Sequence, residues 1–314
     1  MDLGIKGRKA IVCASSRGLG KGCAIALAQA GVSLVLNGRD RATLEATADE
    51  IRRATGVAVT PVVADISTRD GQAAVLAACP DPDILINNNG GPPLKDFRQL
   101  ERAAMLDGVT MNMITPIELM QKVIDRMTER GFGRIVNITS ISVKMPVAGL
   151  DLSSGARAGL TAFVAGIART VADRGVTINN LLPGYFDTDR LRGSLRFAAE
   201  KSGSSEEAAA AQRAALVPAK RFGSASEFGQ TCAFLCSVHA SYITGQSILM
   251  DGGLYPSTFC RQIKPPRPGS RLAGSERRRS PRGDHRAESR CCRGPRAVPL
   301  RSRVTPRCRR PARH

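Results

Sequence analysis

Short runs of consecutive apolar residues alternate with longer helical stretches over about 240 residues of this chain. The runs are Lys9–Cys13, Ser33–Asn37, Val57–Val63, Asp83–Asn87, Arg134–Ile138, Thr177–Leu181 and Ser247–Met250. A strand that is apolar at successive positions buries both of its faces, the situation of a parallel sheet covered by helices on each side. The helical stretches between them are Gly20–Ala30, Arg41–Ala54, Leu100–Arg130, Ser153–Ala172 and Ala225–Val238. Glu200–Ala215, rich in Ala and Glu, predicts one exposed helical flap near the carboxyl ends of the strands. The pattern therefore predicts an α/β fold, a doubly wound parallel seven-stranded sheet of Rossmann type. Aromatics make up only 4% of the residues and Trp is absent, so Ala, Gly, Val and Leu must fill the core.

The formal net charge of +19 is unevenly distributed. Roughly fifteen of those charges fall in Arg261–His314, leaving a nearly balanced domain before it. The expected organisation is a single domain over residues 1–259 and a disordered Arg/Pro-rich tail over 260–314, too poor in apolar residues to offset chain entropy. The tail lacks interleaved aromatics, repeats or a recognition element, so nucleic acid is not the expected partner. None of the nine cysteines forms a metal-type double pair; Cys232 and Cys236, four apart in an apolar helical run, read as two small buried residues. Met1–Lys9 has no apolar signal core and no apolar run is long enough to span a bilayer. The expected setting is cytoplasmic, without a membrane partner.

The first strand runs into Cys13-Ala14-Ser15-Ser16-Arg17-Gly18-Leu19-Gly20 and then a helix. A tight turn there lets backbone approach a pyrophosphate, while the helix N-terminus supplies unpaired N–H groups and partial positive charge. At the end of the second strand, Leu36-Asn37-Gly38-Arg39 presents no acid for ribose hydroxyls. Arg39 and Arg17 are expected instead to converge on a 2′-phosphate, for which a guanidinium offers paired donors.

These motifs resemble those of the short-chain dehydrogenase/reductase family, whose Thr-Gly-x-x-x-Gly-x-Gly is altered here at Cys13 and Ala14. Ala14 adds one methyl group at the first glycine, which a negative φ would accommodate. The resemblance continues in order. Asp65 corresponds to the residue that contacts adenine, and Asn87-Asn88-Asn89-Gly90 to Asn-Asn-Ala-Gly. Pro183, Gly184 and Thr188 correspond to the segment that holds the nicotinamide carboxamide, and Asp251-Gly252-Gly253 to the closing strand. The likeness is nearest to 3-oxoacyl-[acyl-carrier-protein] reductases. It implies NADP(H) as cofactor, held by Ser15, Ser16, Arg17, Gly18, Leu19, Gly20, Arg39, Asp65, Asn88, Asn89, Gly90, Arg157, Pro183, Gly184 and Thr188. It also implies a small carbonyl or alcohol substrate, and a homodimer or homotetramer.

The resemblance breaks at the reaction centre. The family divides carbonyl reduction among Asn, Ser, Tyr and Lys; Tyr is the acid/base, and Lys lowers its pKa and holds the ribose. Asn112 and Ser140 match the first two. Ser153 stands in place of Tyr and Arg157 in place of Lys. A serine hydroxyl is a far weaker acid than a phenol and is too short to reach the phenol's place. Arg157 is expected to keep a positive charge over the ribose without relaying protons. Three readings stay open: an oxidoreductase using a stand-in such as Tyr185 or Lys144, one in which Ser140, Ser153 and a water suffice, and a non-catalytic NADP(H)-binding regulatory or partner subunit.

Overall fold

A computed structural model describes residues 1–92 and 94–256; the expected tail 260–314 lies outside the described residues. Seven strands form one parallel sheet: β1 (Lys9–Val12), β2 (Ser33–Gly38), β3 (Val59–Val63), β4 (Ile84–Asn87), β5 (Gly133–Ile138), β6 (Val176–Pro183) and β7 (Ser247–Met250). Their order is β3-β2-β1-β4-β5-β6-β7, so the chain reverses its direction of travel between β1 and β4. That reversal opens a crevice at the carboxyl ends of the strands, where ligands of such sheets bind. Each predicted strand is present, with ends shifted by a residue or two.

The consecutive apolar positions divide between two cores. Ala10, Val12, Leu34, Leu36, Ile84 and Ile86 point to one face and pack beneath α1 (Gly18–Gln29), α2 (Arg41–Thr55) and α9 (Ala225–Cys236). Ile11, Val35, Leu85, Ile135 and Ile178 point to the other, beneath α3 (Arg69–Ala78), α5 (Thr115–Glu129) and α6 (Asp151–Val171). Small residues set the spacing: α1 and α9 lie so close that a Cβ on Gly22 would strike the Ala225 carbonyl. Cys232 and Cys236 are buried at that contact, as expected of small core residues. Among the described residues, no helix is long and apolar enough to cross a membrane.

Two expectations are corrected. The stretch Leu100–Arg130 is not one helix but α4 (Arg102–Val109), a wide π turn at Thr110–Ile114, and α5. Pro116 has no N–H to offer the carbonyl four residues back, that of Asn112, so the α ladder cannot run through and the chain widens there. The single flap helix is likewise two, α7 (Asp189–Ser202) and α8 (Glu206–Ala215), reversing at Gly203 with φ +67°. Leu191, Leu195, Ala199 and Ala209 form a small separate core between them.

A buried polar ladder crosses the sheet's interior. Asn87, Asn137, Asn180 and Ser247 are register partners on β4, β5, β6 and β7. Asn87 donates to Asn137 (2.8 Å), Asn137 to Asn180 (3.1 Å), and Asn180 to the Ser247 hydroxyl (3.2 Å). Asn137→Ala would strand a donor on Asn87 and an acceptor on Asn180 in the core. A loss of about 2–4 kcal/mol is expected in urea unfolding at unchanged m-value, and a loss below about 1 kcal/mol would refute the ladder's role.

Candidate active site

The loop between β1 and α1 is held from beneath. Ser15 is fully buried; its hydroxyl donates to the Val12 carbonyl (2.8 Å) and accepts from the Asn37 N–H (3.1 Å). Asn37 also ties the loop, accepting from the Ala14 N–H and donating to the Val62 and Ala64 carbonyls. The Ser15 hydroxyl and N–H are both spent inside the protein, where they support the loop. Ala14 has φ +44°, against the expectation of a negative value. A methyl group in that region costs about 1 kcal/mol, retained because the loop and the Ser15–Asn37 bonds over-determine the turn. Its carbonyl accepts from Asn88 Nδ2 (3.1 Å), and a Cβ on Gly20 would collide with the same carbonyl.

The N-terminus of α1 fits an anionic ligand. Five of the other helices, α2, α3, α7, α8 and α9, are capped by the side chain of Asp40, Thr68, Thr188, Ser205 or Ser224. α1 has no side-chain cap and no acid in its first turn, so the N–H groups of that turn are open to a ligand. Gly18 opens it with φ +58°, and Leu19 packs partly into the core behind it. Ser16 and Arg17 line a groove beside α1 together with Thr43, Thr188 and Asp189.

Arg17 stands at the head of α1 and Arg39 directly after β2. Arg17 lies 3.7 Å from Asp189 and Arg39 lies 3.9 Å from Asp65, each in a loose, solvent-exposed pair. Such pairs hold weakly, so both guanidiniums are available to an incoming phosphate. Asp40, the acid next to Arg39, spends its carboxylate on the α2 cap, and its bonds to Thr43 hold its pKa below the usual range. Asp65 also accepts from the Ser67 N–H (2.9 Å).

After β4, Asn89 binds three segments together. Its amide nitrogen donates to the Ser67 hydroxyl (2.8 Å) and the Met111 carbonyl (3.3 Å), and its oxygen accepts from the Gly90 N–H. Substitution of the family's Ala by Asn therefore braces the loop to the π turn, a role that spacing alone did not reveal. Gly184 is required where it is: it approaches β7 so closely that a Cβ would lie 2.7 Å from that of Asp251. Beyond Pro183-Gly184, Thr188 caps α7 with its hydroxyl.

The altered pair is packed together. On α6, Ser153 and Arg157 are one turn apart, both buried. Arg157 Nε donates to the Ser153 oxygen (3.2 Å) and Nη1 to the Ile138 carbonyl at the end of β5 (2.7 Å). The Arg157 guanidinium turns inward to the strand end. Burial lowers its pKa to about 10, helped by the nearby charge of Arg190. Ser140, two residues beyond Ile138, caps a short 3-10 turn and accepts from the Ser142 N–H (3.1 Å). Asn112 sits in the π turn, donating to the Gly108 carbonyl (3.3 Å). Asn112, Arg157, Asn87 and Thr115 line one small cavity. The oxygens of Asn87, Asn112 and Thr115 are buried there without a partner among the described residues.

Of the stand-ins, Tyr185 is engaged elsewhere: its ring packs on the α7–α8 core with the Arg213 guanidinium 5.1 Å from its centre. Lys144 follows the 3-10 turn and is exposed.

Known proteins show the same design. The sequence model of the family described as enoyl-(acyl carrier protein) reductase matches residues 13–255. The NADPH-dependent reductase BacG of Bacillus subtilis is 33% identical over 251 residues, 78% of this chain and 97% of that protein. The 3-oxoacyl-[acyl-carrier-protein] reductase FabG of Pseudomonas aeruginosa is 31% identical over 262 residues, 81% of this chain and all of that one. Among solved structures, L-sorbose reductase of Gluconobacter frateurii, complexed with NADPH and L-sorbose, superposes with a TM-score of 0.77. It is 27% identical and covers 81% of this chain and 98% of its own. The match over the whole sheet, together with the uncapped α1 N-terminus at its crevice, means that the chain belongs to the short-chain dehydrogenase/reductase family of oxidoreductases.

Proposed function

We propose that the protein is an NADPH-dependent carbonyl reductase in which two serine hydroxyls, in place of a tyrosine, receive the substrate oxygen. The observation that carries this reading is the state of those hydroxyls. Ser153 accepts from Arg157, and Ser140 accepts from the Ser142 N–H. Each therefore has its own O–H proton free to donate. Two such donors can polarise a carbonyl and stabilise the oxyanion that develops on it. The buried Arg157 charge, bonded directly to Ser153, strengthens that hydroxyl as a donor.

The α1 N-terminus, Gly18 and Gly20 would hold the cofactor's pyrophosphate, and Arg17 and Arg39 its 2′-phosphate. Asn88 and Asn89 brace the crevice floor, with Pro183, Gly184 and Thr188 on the opposite side. When bound, NADPH supplies a hydride to the carbonyl carbon. Neither serine is acidic enough to surrender its proton outright, so solvent water delivers the proton that makes the alcohol. Asn112 would hold a water: its oxygen, without a partner among the described residues, belongs to a residue lining the cavity that Arg157 also lines, a polar setting suited to a buried water. Small molecules are the substrate class, and self-association through the α4–α6 surface is in keeping with the exposed Leu106, Ile114 and Phe163.

The test is NADPH consumption with a panel of oxo acids, oxo esters, cyclic ketones and ketoses. Slow but saturable turnover is expected, because a general acid worth about 10²–10⁴-fold is missing. NADPH binding without consumption on any carbonyl compound would replace this reading with that of a non-catalytic nucleotide-binding subunit.

A further inference from the structure

Three arginines project from α7, and two of them have carboxylates. Arg192 forks onto Asp187, and Arg196 reaches Glu206. Arg190, at the second position of the helix, has no acidic partner among the described residues. Its Nη1 and Nη2 donate instead to the carbonyls of Gly91 (3.1 Å) and Pro92 (3.3 Å). Gly91 makes room for this: a Cβ there would lie 2.7 Å from Nη2. The side chain thus ties the N-terminal turn of α7 to the loop after β4.

Arg157, which lines the small cavity beside Asn88 and Asn89, is also without a carboxylate among the described residues and donates to Ile138 and Ser153. The charge of Arg190 reaches it and disfavours its protonated form. Two cations without carboxylate partners repel, and an anion bound close to both removes the penalty. The two carbonyl contacts use two of the five guanidinium N–H groups on Arg190, so three remain, and a carboxylate needs two. Of the arginines suited to the cofactor's phosphate, Arg39 follows β2 and Arg17 stands at the head of α1, its guanidinium turned to Asp189 and not to the loop after β4 that Arg190 reaches.

We propose that the substrate is an oxo acid whose carboxylate is held by Arg190 while its ketone oxygen meets Ser140 and Ser153. This rests on the reductase reading and names the substrate class of that same site.

The experiment compares kcat/KM for paired substrates, pyruvate with methyl pyruvate and acetoacetate with methyl acetoacetate, in the wild type, Arg190→Met and Arg190→Lys. The wild type is expected to favour the acid in a pair by about 10- to 100-fold, Arg190→Met to erase the preference, and Arg190→Lys to restore part of it. Calorimetric titration of lactate and 3-hydroxybutyrate into the protein–NADP+ complex gives a readout that needs no turnover. Binding in the wild type and its loss in Arg190→Met are expected. If no carbonyl compound is reduced yet a hydroxy acid binds in an Arg190-dependent way, the reductase reading fails and the carboxylate site stands. Equal use of acid and ester overturns the carboxylate site, as does the absence of hydroxy-acid binding. A loss of NADPH affinity in Arg190→Met with the acid preference intact also overturns it, assigning the arginine to the cofactor. Preference for a phosphorylated ketose over every oxo acid overturns it too.

Discussion

The double variant Ser153→Tyr, Arg157→Lys is expected to reduce carbonyl compounds about 10²-fold faster than the wild type, at the low end of what general acid catalysis contributes. Positions 153 and 157 lie one turn apart on α6, so a phenol and an ammonium placed there project from the same side of the helix. The lysine shortens the side chain that now holds the Ile138 carbonyl, and its charge lowers the pKa of the neighbouring phenol. Each single variant should gain far less. Tyrosine alone faces the guanidinium of Arg157, and lysine alone has no phenol to act on. The pH profile separates the two chemistries. Arg157 titrates at about 10, so the wild-type rate is expected to be flat around neutrality and to fall as pH rises towards 10 and the charge behind Ser153 is lost. The double variant should lose rate earlier on the alkaline side, as its phenol ionises. Stopped-flow rates of NADPH oxidation across pH check this. A double variant that melts like the wild type but gains nothing would mean that position 153 does not face the reacting carbonyl.

Charge reversal at the second strand has the other large effect. Arg39→Asp is expected to weaken NADPH binding by about 10- to 100-fold and to improve NADH binding, as followed by nicotinamide fluorescence. A charge-assisted hydrogen bond is worth about 1.5–3 kcal/mol, and the new carboxylate both removes it and repels the 2′-phosphate. Arg39 is exposed and paired only loosely with Asp65, so the substitution should leave the fold intact. Arg17→Ala should show a smaller loss in the same direction, since Arg17 gives up only its weak contacts to Asp189 and Thr43. NADPH affinity unchanged in both variants would remove these arginines from the cofactor site.

The architecture was legible because it follows from local patterns. Consecutive apolar residues such as Ala10-Ile11-Val12 serve two cores at once, and only strands covered on both sides demand that. Arg41–Ala54 was readable as a helix from its apolar spacing, and the structure places it at Arg41–Thr55. The Leu100–Arg130 stretch shows the limit of such reasoning. Its spacing is helical throughout, and the break comes from one missing N–H at Pro116, whose consequence is a π turn that buries Asn112. The two-helix flap was missed for a related reason: the composition of Glu200–Ala215 marks a helix but hides the reversal at Gly203.

For the site, residue identity and spacing establish which chemical groups are present and which are missing. Spacing along the chain places Asn112, Ser140, Ser153 and Arg157 in the family's order and shows that no phenol stands at position 153. Where those groups point depends on contacts made in the folded chain. Arg157 turns inward because the Ile138 carbonyl and the Ser153 oxygen offer acceptors at the strand end, and a buried guanidinium must find acceptors. Ser15 is withdrawn beneath the loop by Asn37, on a neighbouring strand, and Ala14 is forced to a positive φ by the same turn. Arg190 meets Gly91 and Pro92 across about a hundred residues of chain. Hydrogen bonds and charge act through space, and the distances they depend on exist only once the strands have been brought side by side.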